Sequence, residues 1–114
     1  MPISSVDRSA RFRHITLSGR LDALGTEEIA KQLASLTSSE KRQILVDLTG
    51  VSFLSSTGIS ALIRNASAQQ KLGGCIVLLV DENTLVSKTL TSVGIDSFLP
   101  ICKNYADAEK TLLS

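Results

Sequence analysis

Residues 11–19 alternate between apolar and polar side chains, with Ile15 and Leu17 on one face and hydroxyl residues on the other. This period of two is typical of a half-buried β-strand. A weaker strand is expected before it, near Ile3–Val6. The chain is therefore predicted to open with a β-hairpin.

Four later stretches indicate helices. Their markers are Ile29, Leu33 and Leu36; then Ile59, Leu62, Ile63 and Ala66; then Leu85, Val86, Leu90 and Val93; and finally the segment Tyr105–Leu113. Thr26 is the expected N-cap of the first helix, with Glu27 and Glu28 in its first turn. Gly73 and Gly94 follow the second and third patterns, as glycines commonly do at helix ends.

Short apolar runs separate these helices. Ile44–Leu48 and Cys75–Val80 are almost entirely apolar, which is typical of strands buried on both faces. Phe98–Ile101 is predicted to form a short last strand. Strands that alternate with helices after an opening hairpin predict one α/β domain over residues 1–114. Its mixed β-sheet would be covered by about four helices.

The charge balance and the aromatic content of the chain argue against some classes of binding protein. The chain has 12 Lys and Arg against 11 Asp and Glu, and only 4% aromatic residues. A nearly neutral chain with few aromatic side chains argues against nucleic-acid and membrane-surface binding. No apolar run reaches the length of a membrane span and no signal peptide is visible, so a cytoplasmic location is expected. Cys75 and Cys102 are expected to be buried, reduced thiols.

Catalytic residues are scarce. His14 is the single histidine and lies in the alternating segment, where it is interpreted as a surface-strand residue. A phosphoaspartate site at Asp47 would need further carboxylates for magnesium, and the first strands offer only Asp7 and Asp22. No metal-ligand cluster or phosphate-binding loop is present in the sequence. The sequence therefore predicts no enzyme activity, no metal and no cofactor.

Three consecutive hydroxyl residues, Ser55 to Thr57, lie where a buried strand leads into the second helix. One of Ser55 and Ser56 is expected to be the N-cap. No carboxylate occurs between Asp47 and Asp81. A phosphate on Ser56 would lie at the positive end of a helix without an acidic neighbour in sequence, so the fold would tolerate it.

Three phrases together resemble a known family. They are residues 17–22 (Leu-Ser-Gly-Arg-Leu-Asp), residues 46–58, which end in Ser-Ser-Thr-Gly, and residues 92–95 (Ser-Val-Gly-Ile). They resemble a STAS domain, and within that family the stand-alone bacterial anti-sigma factor antagonists. The likeness extends from about Arg11 to Leu113.

The resemblance implies a non-enzymatic regulator that works by partner switching. The unphosphorylated form would bind an anti-sigma factor that is also a serine kinase, which holds its own ATP and magnesium, and so free the sigma factor. Phosphorylation would abolish binding, and a PP2C-type phosphatase would restore it. Matching the family motif places the acceptor on Ser56, with Ser55 and Thr57 as alternatives. The implied partner-binding residues are Gly19, Arg20, Leu21, Asp22, Ser55, Ser56, Thr57 and Gly58.

Two positions depart from the family pattern. Ser55 stands where the family commonly has an aspartate, and Arg20 stands where it often has an acidic residue. The loss of the aspartate leaves a second function open. The chain could be a constitutive STAS subunit of a scaffold or transport complex that is not phosphorylated.

Overall fold

A computed structural model describes residues 2–8, 11–38 and 40–113. The elements in chain order are β1 (Ile3–Arg8), β2 (Phe12–Leu21), α1 (Ala23–Ser38), β3 (Gln43–Leu54), α2 (Ser56–Lys71), β4 (Cys75–Leu79), α3 (Leu85–Val93), a 3-10 turn (Ile95–Ser97), β5 (Ile101–Cys102) and α4 (Tyr105–Leu113). The strands form one mixed sheet in the order β1-β2-β3-β4-β5. β1 and β2 form the predicted antiparallel hairpin, and the remaining neighbours are parallel.

The two faces of the sheet carry separate apolar cores because side chains alternate along each strand. Helices α1, α2 and α3 cover one face, where strand residues such as Ile15 and Leu17 pack against helix residues such as Leu33 and Leu62. Helix α4 covers part of the other face. The core of that face consists of Phe12, Leu45, Val77, Leu79, Ala108 and Leu112. The α/β architecture with an opening hairpin and four helices is confirmed.

Strands β2 and β3 are longer than their apolar patterns predict. β2 continues to Leu21, and β3 continues past Leu48 through a mixed polar and apolar stretch to Leu54. The reason is pairing with the neighbouring strand: Ser18 lies opposite Gly50 and Leu21 opposite Leu54. Two shifts in register occur along this paired segment.

The predicted N-cap of α1 is wrong. The helix begins at Ala23, and the Thr26 N–H already donates to the Asp22 carbonyl at 2.9 Å, so Thr26 lies inside the helix. Asp22 performs the capping instead, since its Oδ1 accepts the Gly25 N–H at 2.8 Å. Glu27 and Glu28 consequently lie beyond the first turn.

The last strand is also displaced from its predicted position. Phe98 and the residues around it follow the 3-10 turn, and β5 contains only Ile101 and Cys102. Residues 98–100 form an irregular turn before β5, in which Leu99 is buried in the main core while Phe98 is exposed. The closing helix has the predicted bounds.

Candidate functional site

The phrases at residues 17–22 and 46–58 meet at one edge of the sheet. β2 and β3 are parallel neighbours, so their carboxyl ends lie side by side. Arg20 lies opposite Phe53, and Leu21 lies opposite Leu54. Tertiary pairing thus brings the predicted partner-binding residues of both segments to the N-terminus of α2.

Ser55 is the N-cap of α2. Its Oγ accepts a hydrogen bond from the Gly58 N–H at 3.3 Å and donates one to the Leu21 carbonyl at 2.7 Å. The Ser55 N–H donates to the same carbonyl at 3.0 Å. The side chain therefore both caps the helix and ties it to the end of β2. Its hydroxyl is fully engaged in structural bonds.

Gly58 permits the helix to approach β2 this closely. A Cβ at this position would lie 2.9 Å from the Leu21 carbonyl oxygen and 2.8 Å from Leu54 Cδ1. The residue is buried, so it cannot relieve that overlap by turning toward solvent. Glycine is required here for space, and not for an unusual backbone dihedral angle.

Ser56 differs from Ser55 in both position and bonding. It is the first residue of α2 and is exposed, and its hydroxyl makes no hydrogen bond to the described residues. Thr57 is exposed in the same way. No acidic side chain lies in the first turn of α2, where backbone N–H groups create a positive potential. Ser56 is therefore an accessible hydroxyl in an environment that favours an anion.

Arg20 and Phe53 form a surface pair beside this hydroxyl segment. The Arg20 guanidinium carbon lies 4.5 Å from the centroid of the Phe53 ring, a cation–π contact. Arg20 Nε also lies 3.6 Å from Asp22 Oδ2. Gly19, whose φ is +85°, precedes this pair and lies at one of the register shifts. The structure thus gives Arg20 fixed neighbours, although 64% of its side chain remains exposed.

Two of the eight predicted partner-binding residues do not reach the surface. Leu21 and Gly58 are buried, so neither is available to a docked protein. Phe53 and the exposed Leu24 at the start of α1 also belong to this surface and were not among the predicted residues. Phe53 lies opposite Arg20 because of a register shift, which no local sequence pattern reveals. Leu24 gave no signal because single exposed leucines are common.

His14 is not a surface residue, which corrects the sequence interpretation. Only 9% of it is exposed, and Nε2 lies 3.0 Å from Asp47 Oδ2 while Nδ1 lies 3.0 Å from Arg8 Nη2. A guanidinium can only donate, so Nδ1 accepts and Nε2–H donates to Asp47. The pair lies on the α4 face, near the Tyr105 ring. The sequence spacing of 33 residues concealed it.

The Asp47 carboxylate is held in its charged form. Burial alone would raise its pKa, but hydrogen bonds from the Thr49 hydroxyl, the Thr49 N–H and His14 outweigh burial and leave the pKa below its ordinary value. No group of three potential metal-ligating side chains occurs in the described residues, and Asp47 has no acidic cluster around it.

Both cysteines are free and only half-buried, so they are less enclosed than expected. Burial raises the pKa of the Cys75 thiol, which keeps it protonated near neutral pH.

Among residues 2–8, 11–38 and 40–113, no helix has the length and apolar character needed to cross a membrane.

Solved structures share this fold at low sequence identity. An anti-sigma factor antagonist from Mycobacterium paratuberculosis matches with a TM-score of 0.87 at 17% identity, over 98% of this chain and 93% of that chain. The Bacillus cell fate determinant SpoIIAA in its phosphorylated form matches with a TM-score of 0.66 at 16% identity, over 96% and 98%. The murine Solute Carrier 26 family member A9 anion transporter matches with a TM-score of 0.74 at 20% identity, over 89% of this chain and 17% of the transporter.

These identities establish the fold alone. A comparison with curated proteins finds no significant match. The model of one sequence family, described as "Mlab, STAS domain", matches residues 4–101, which is most of the chain. The matched region contains both strands, the Ser55 cap and the exposed Ser56 that form the edge described above. The chain therefore belongs to the STAS domain family.

Proposed function

We propose that this protein is an anti-sigma factor antagonist that acts by partner switching at Ser56. One observation supports the site above the others: Ser56 is exposed and unbonded among the described residues, while its neighbour Ser55 is consumed by the helix cap. In this proposal the unphosphorylated edge binds an anti-sigma factor with serine kinase activity. That kinase phosphorylates Ser56, and a PP2C-type phosphatase removes the phosphate.

Electrostatics explains how one modification could switch partners without refolding the domain. A phosphate adds about −1.5 to −2 charges at neutral pH. The helix N-terminus accommodates this charge in the free protein. In a closed interface an unpaired dianion costs several kcal/mol, and about 4 kcal/mol corresponds to about a thousandfold in affinity. The charge would therefore be felt mainly by the partner.

The neighbouring surface suits a protein partner. Leu24 and Leu85 are 66% and 60% exposed at the starts of α1 and α3, which follow the carboxyl ends of β2 and β4. Arg20 stacked on Phe53 adds a rigid cation and an aromatic ring to the same edge. Apolar, aromatic and arginine side chains are the types that dominate protein interfaces. Catalysis belongs to the partners in this proposal.

The proposal is tested by capturing partners from a native cell lysate with four baits: the parent chain, Ser56→Asp, Ser56→Ala and Ser67→Asp. Ser67 is an exposed residue further along α2, so Ser67→Asp controls for added charge. We expect the parent and Ser67→Asp to retain a kinase-type ATPase and Ser56→Asp to lose it. Equal capture by all four baits would reject Ser56 as the switch.

The modification itself is tested by mass spectrometry of the chain purified from its own cells and by incubation of the captured kinase with ATP. We expect phosphate on Ser56, and none on Ser55, whose hydroxyl already makes two hydrogen bonds. Loss of the signal in Ser56→Ala and its retention in Thr57→Ala would assign the site. Phosphate confined to Thr57 would move the switch by one residue.

A second candidate function is that of a constitutive subunit of a scaffold or transport complex. Two observations favour it: Ser55 replaces the aspartate that the family motif commonly has, and the murine anion transporter contains a region of the same fold. This function predicts a stoichiometric complex that survives purification with every bait above. It also predicts no phosphate on residues 55–57. Stoichiometric phosphate on Ser56 would reject it.

A further inference from the structure

We infer that a second site, at the opposite end of the sheet from Ser56, binds a phosphate-bearing anion. A cleft of about 670 Å³ opens there. Its lining residues are Asp7, Arg11, Lys41, Arg42, Gln43 and Gly73. β3 begins at Gln43 and ends at Leu54, immediately before the Ser55 cap. The two sites are thus separated by the whole of β3, and the inference is independent of the proposed function.

Positive charge is concentrated in this cleft. Of the residues that the structure describes, three cations and one carboxylate line it, a net charge of +2, whereas the whole chain carries +1. The side chains of Arg11 and Lys41 form no ion pair or hydrogen bond with the described residues. Both are exposed and free to turn toward a bound anion. Concave, like-charged walls strengthen the local field above that of the same charges on a flat surface.

Asp7, the carboxylate among the described lining residues, forms ion pairs with two arginines. Asp7 Oδ1 lies 2.8 Å from Arg13 Nε and 3.8 Å from Arg42 Nη1. Glu40 Oε1 lies 3.1 Å from Arg42 Nη2 and 3.8 Å from Arg13 Nη2. Each carboxylate bridges the same two arginines, and the Arg42 side chain is only 24% exposed. Arg42 is therefore held in place at the cleft wall before any ligand arrives.

The lining chemistry selects the class of ligand. Arg42 Nε and Nη2 already donate to Glu40 Oε1, so the guanidinium available to a ligand is that of Arg11. A free guanidinium can donate two parallel hydrogen bonds to the oxygens of a phosphate, and Lys41 supplies a mobile point charge. Among the described residues that line the cleft, none has an aromatic or a large apolar side chain. A base or an acyl chain would find no surface to pack on. Recognition would therefore depend on the phosphate oxygens and their charge, and a ligand with two phosphates would use more of the donors than one with a single phosphate.

Two features fix the backbone conformation of the cleft wall. Gly73 has a φ of +92° at the turn after α2, a conformation that side-chain-bearing residues rarely adopt. A Cβ there would make only an ordinary contact of 3.6 Å with the Lys41 side chain, so the backbone dihedral angle and not space favours glycine. The Arg42 N–H is engaged by Gln69 Oε1 at 2.8 Å, which fixes the adjoining backbone.

The test is a titration of the full chain at low ionic strength with inorganic pyrophosphate, inorganic phosphate and ADP, followed by backbone amide NMR shifts. The cleft variant is Arg11→Ala/Lys41→Ala. Its control, Lys31→Ala/Lys88→Ala, removes the same charge from exposed lysines on α1 and α3 that form no ion pair with described residues. Thermal unfolding of each variant checks that folding is unchanged.

We expect saturable pyrophosphate shifts at the amides of residues 41, 42 and 73, and weaker binding of inorganic phosphate. The cleft variant should bind pyrophosphate at least about tenfold more weakly, while the control stays within about twofold of the parent chain. ADP should perturb the same amides with the affinity of pyrophosphate, since nothing holds its base. Shifts that fail to saturate, that spread over the surface, or that fall equally in both variants would reject the site. Markedly tighter ADP binding would reject recognition by charge alone.

Discussion

Polar residues at the carboxyl end of β3 bind the backbone, whereas those at its amino end form ion pairs near the surface. Ser55 and Asp22 each satisfy a helix N-terminus, and the close packing around them admits only glycine at position 58. At the other end, Arg13 and Arg42 share Asp7 and Glu40, and two of these side chains are about half exposed. The first arrangement engages Ser55 and Asp22 and leaves the Ser56 and Thr57 hydroxyls without a partner among the described residues. The second leaves cations free.

This comparison has an energetic consequence. A buried backbone partner cannot be replaced by water, so its loss costs the full desolvation of that group. Exposed ion pairs contribute at most about 1 kcal/mol because water and salt replace them readily. Substitutions near Ser56 that touch the cap should therefore lower stability, while substitutions of the free cations should not. The free energies of unfolding of three variants measure how much such engaged positions contribute to stability. The role of Ser56 in partner binding is measured separately.

The largest effect is expected for Gly58→Ala. The added Cβ would overlap the Leu21 carbonyl oxygen, which is backbone and cannot move without displacing the end of β2. We expect the free energy of unfolding to fall by about 2 kcal/mol, because the overlap outweighs the gain in helix propensity. Denaturant unfolding measures this change. A variant as stable as the parent chain would contradict the close approach.

The next effect is expected for Asp47→Asn, which lies between the two ends and is held by Thr49 and His14. The substitution removes charge-assisted hydrogen bonds and should cost about 1.5 to 2 kcal/mol near neutral pH. The pKa of Asp47 is lowered by folding, so its contribution is complete above the unfolded value of about 4 and is lost as the pH falls below that value.

The pH dependence of the free energy of unfolding tests whether the Asp47 charge is responsible for this loss. Unfolding measured between pH 6 and pH 3 should show the two proteins converging as the pH falls, because protonation removes from the parent chain what the substitution removes from the variant. Asp81→Asn provides a matched change at an exposed carboxylate for which no contact is present in the described residues. A difference between Asp47→Asn and the parent that stays constant down to pH 3 would contradict the assigned role of the carboxylate.

The smallest of the three effects is expected for Ser55→Ala, with Ser56→Ala as its matched control. Loss of the cap and of the bond to the Leu21 carbonyl should cost about 1 kcal/mol. Ser56→Ala should change the free energy of unfolding by less than about 0.5 kcal/mol, because that hydroxyl has no partner among the described residues. Thermal or denaturant unfolding of both variants measures the contrast. Equal losses would show that the two serines do not divide structure from function as the geometry indicates.

Much of the fold could be predicted because its signals are local. The alternation at residues 11–19 and the helical spacing in α2 and α3 depend only on which face of an element is buried. The predicted ends of elements were wrong where pairing with a neighbouring strand extended a strand beyond its apolar run, as in the mixed second half of β3. The start of α1 failed for a related reason: Asp22 and Thr26 are both good caps, and the path of the chain out of β2 selects between them.

The sequence by itself determined the α/β class, the family resemblance and the hydroxyl segment before α2, because apolar spacing and short motifs are properties of neighbouring residues. Only the tertiary structure decided which serine caps the helix, since Ser55 is selected by the Leu21 carbonyl, 34 residues away. It also decided that His14 pairs with Asp47, that Arg20 stacks on Phe53 and that the arginines of two chain segments share one cleft. Each of these contacts depends on strand register, which pairs residues that are distant in sequence.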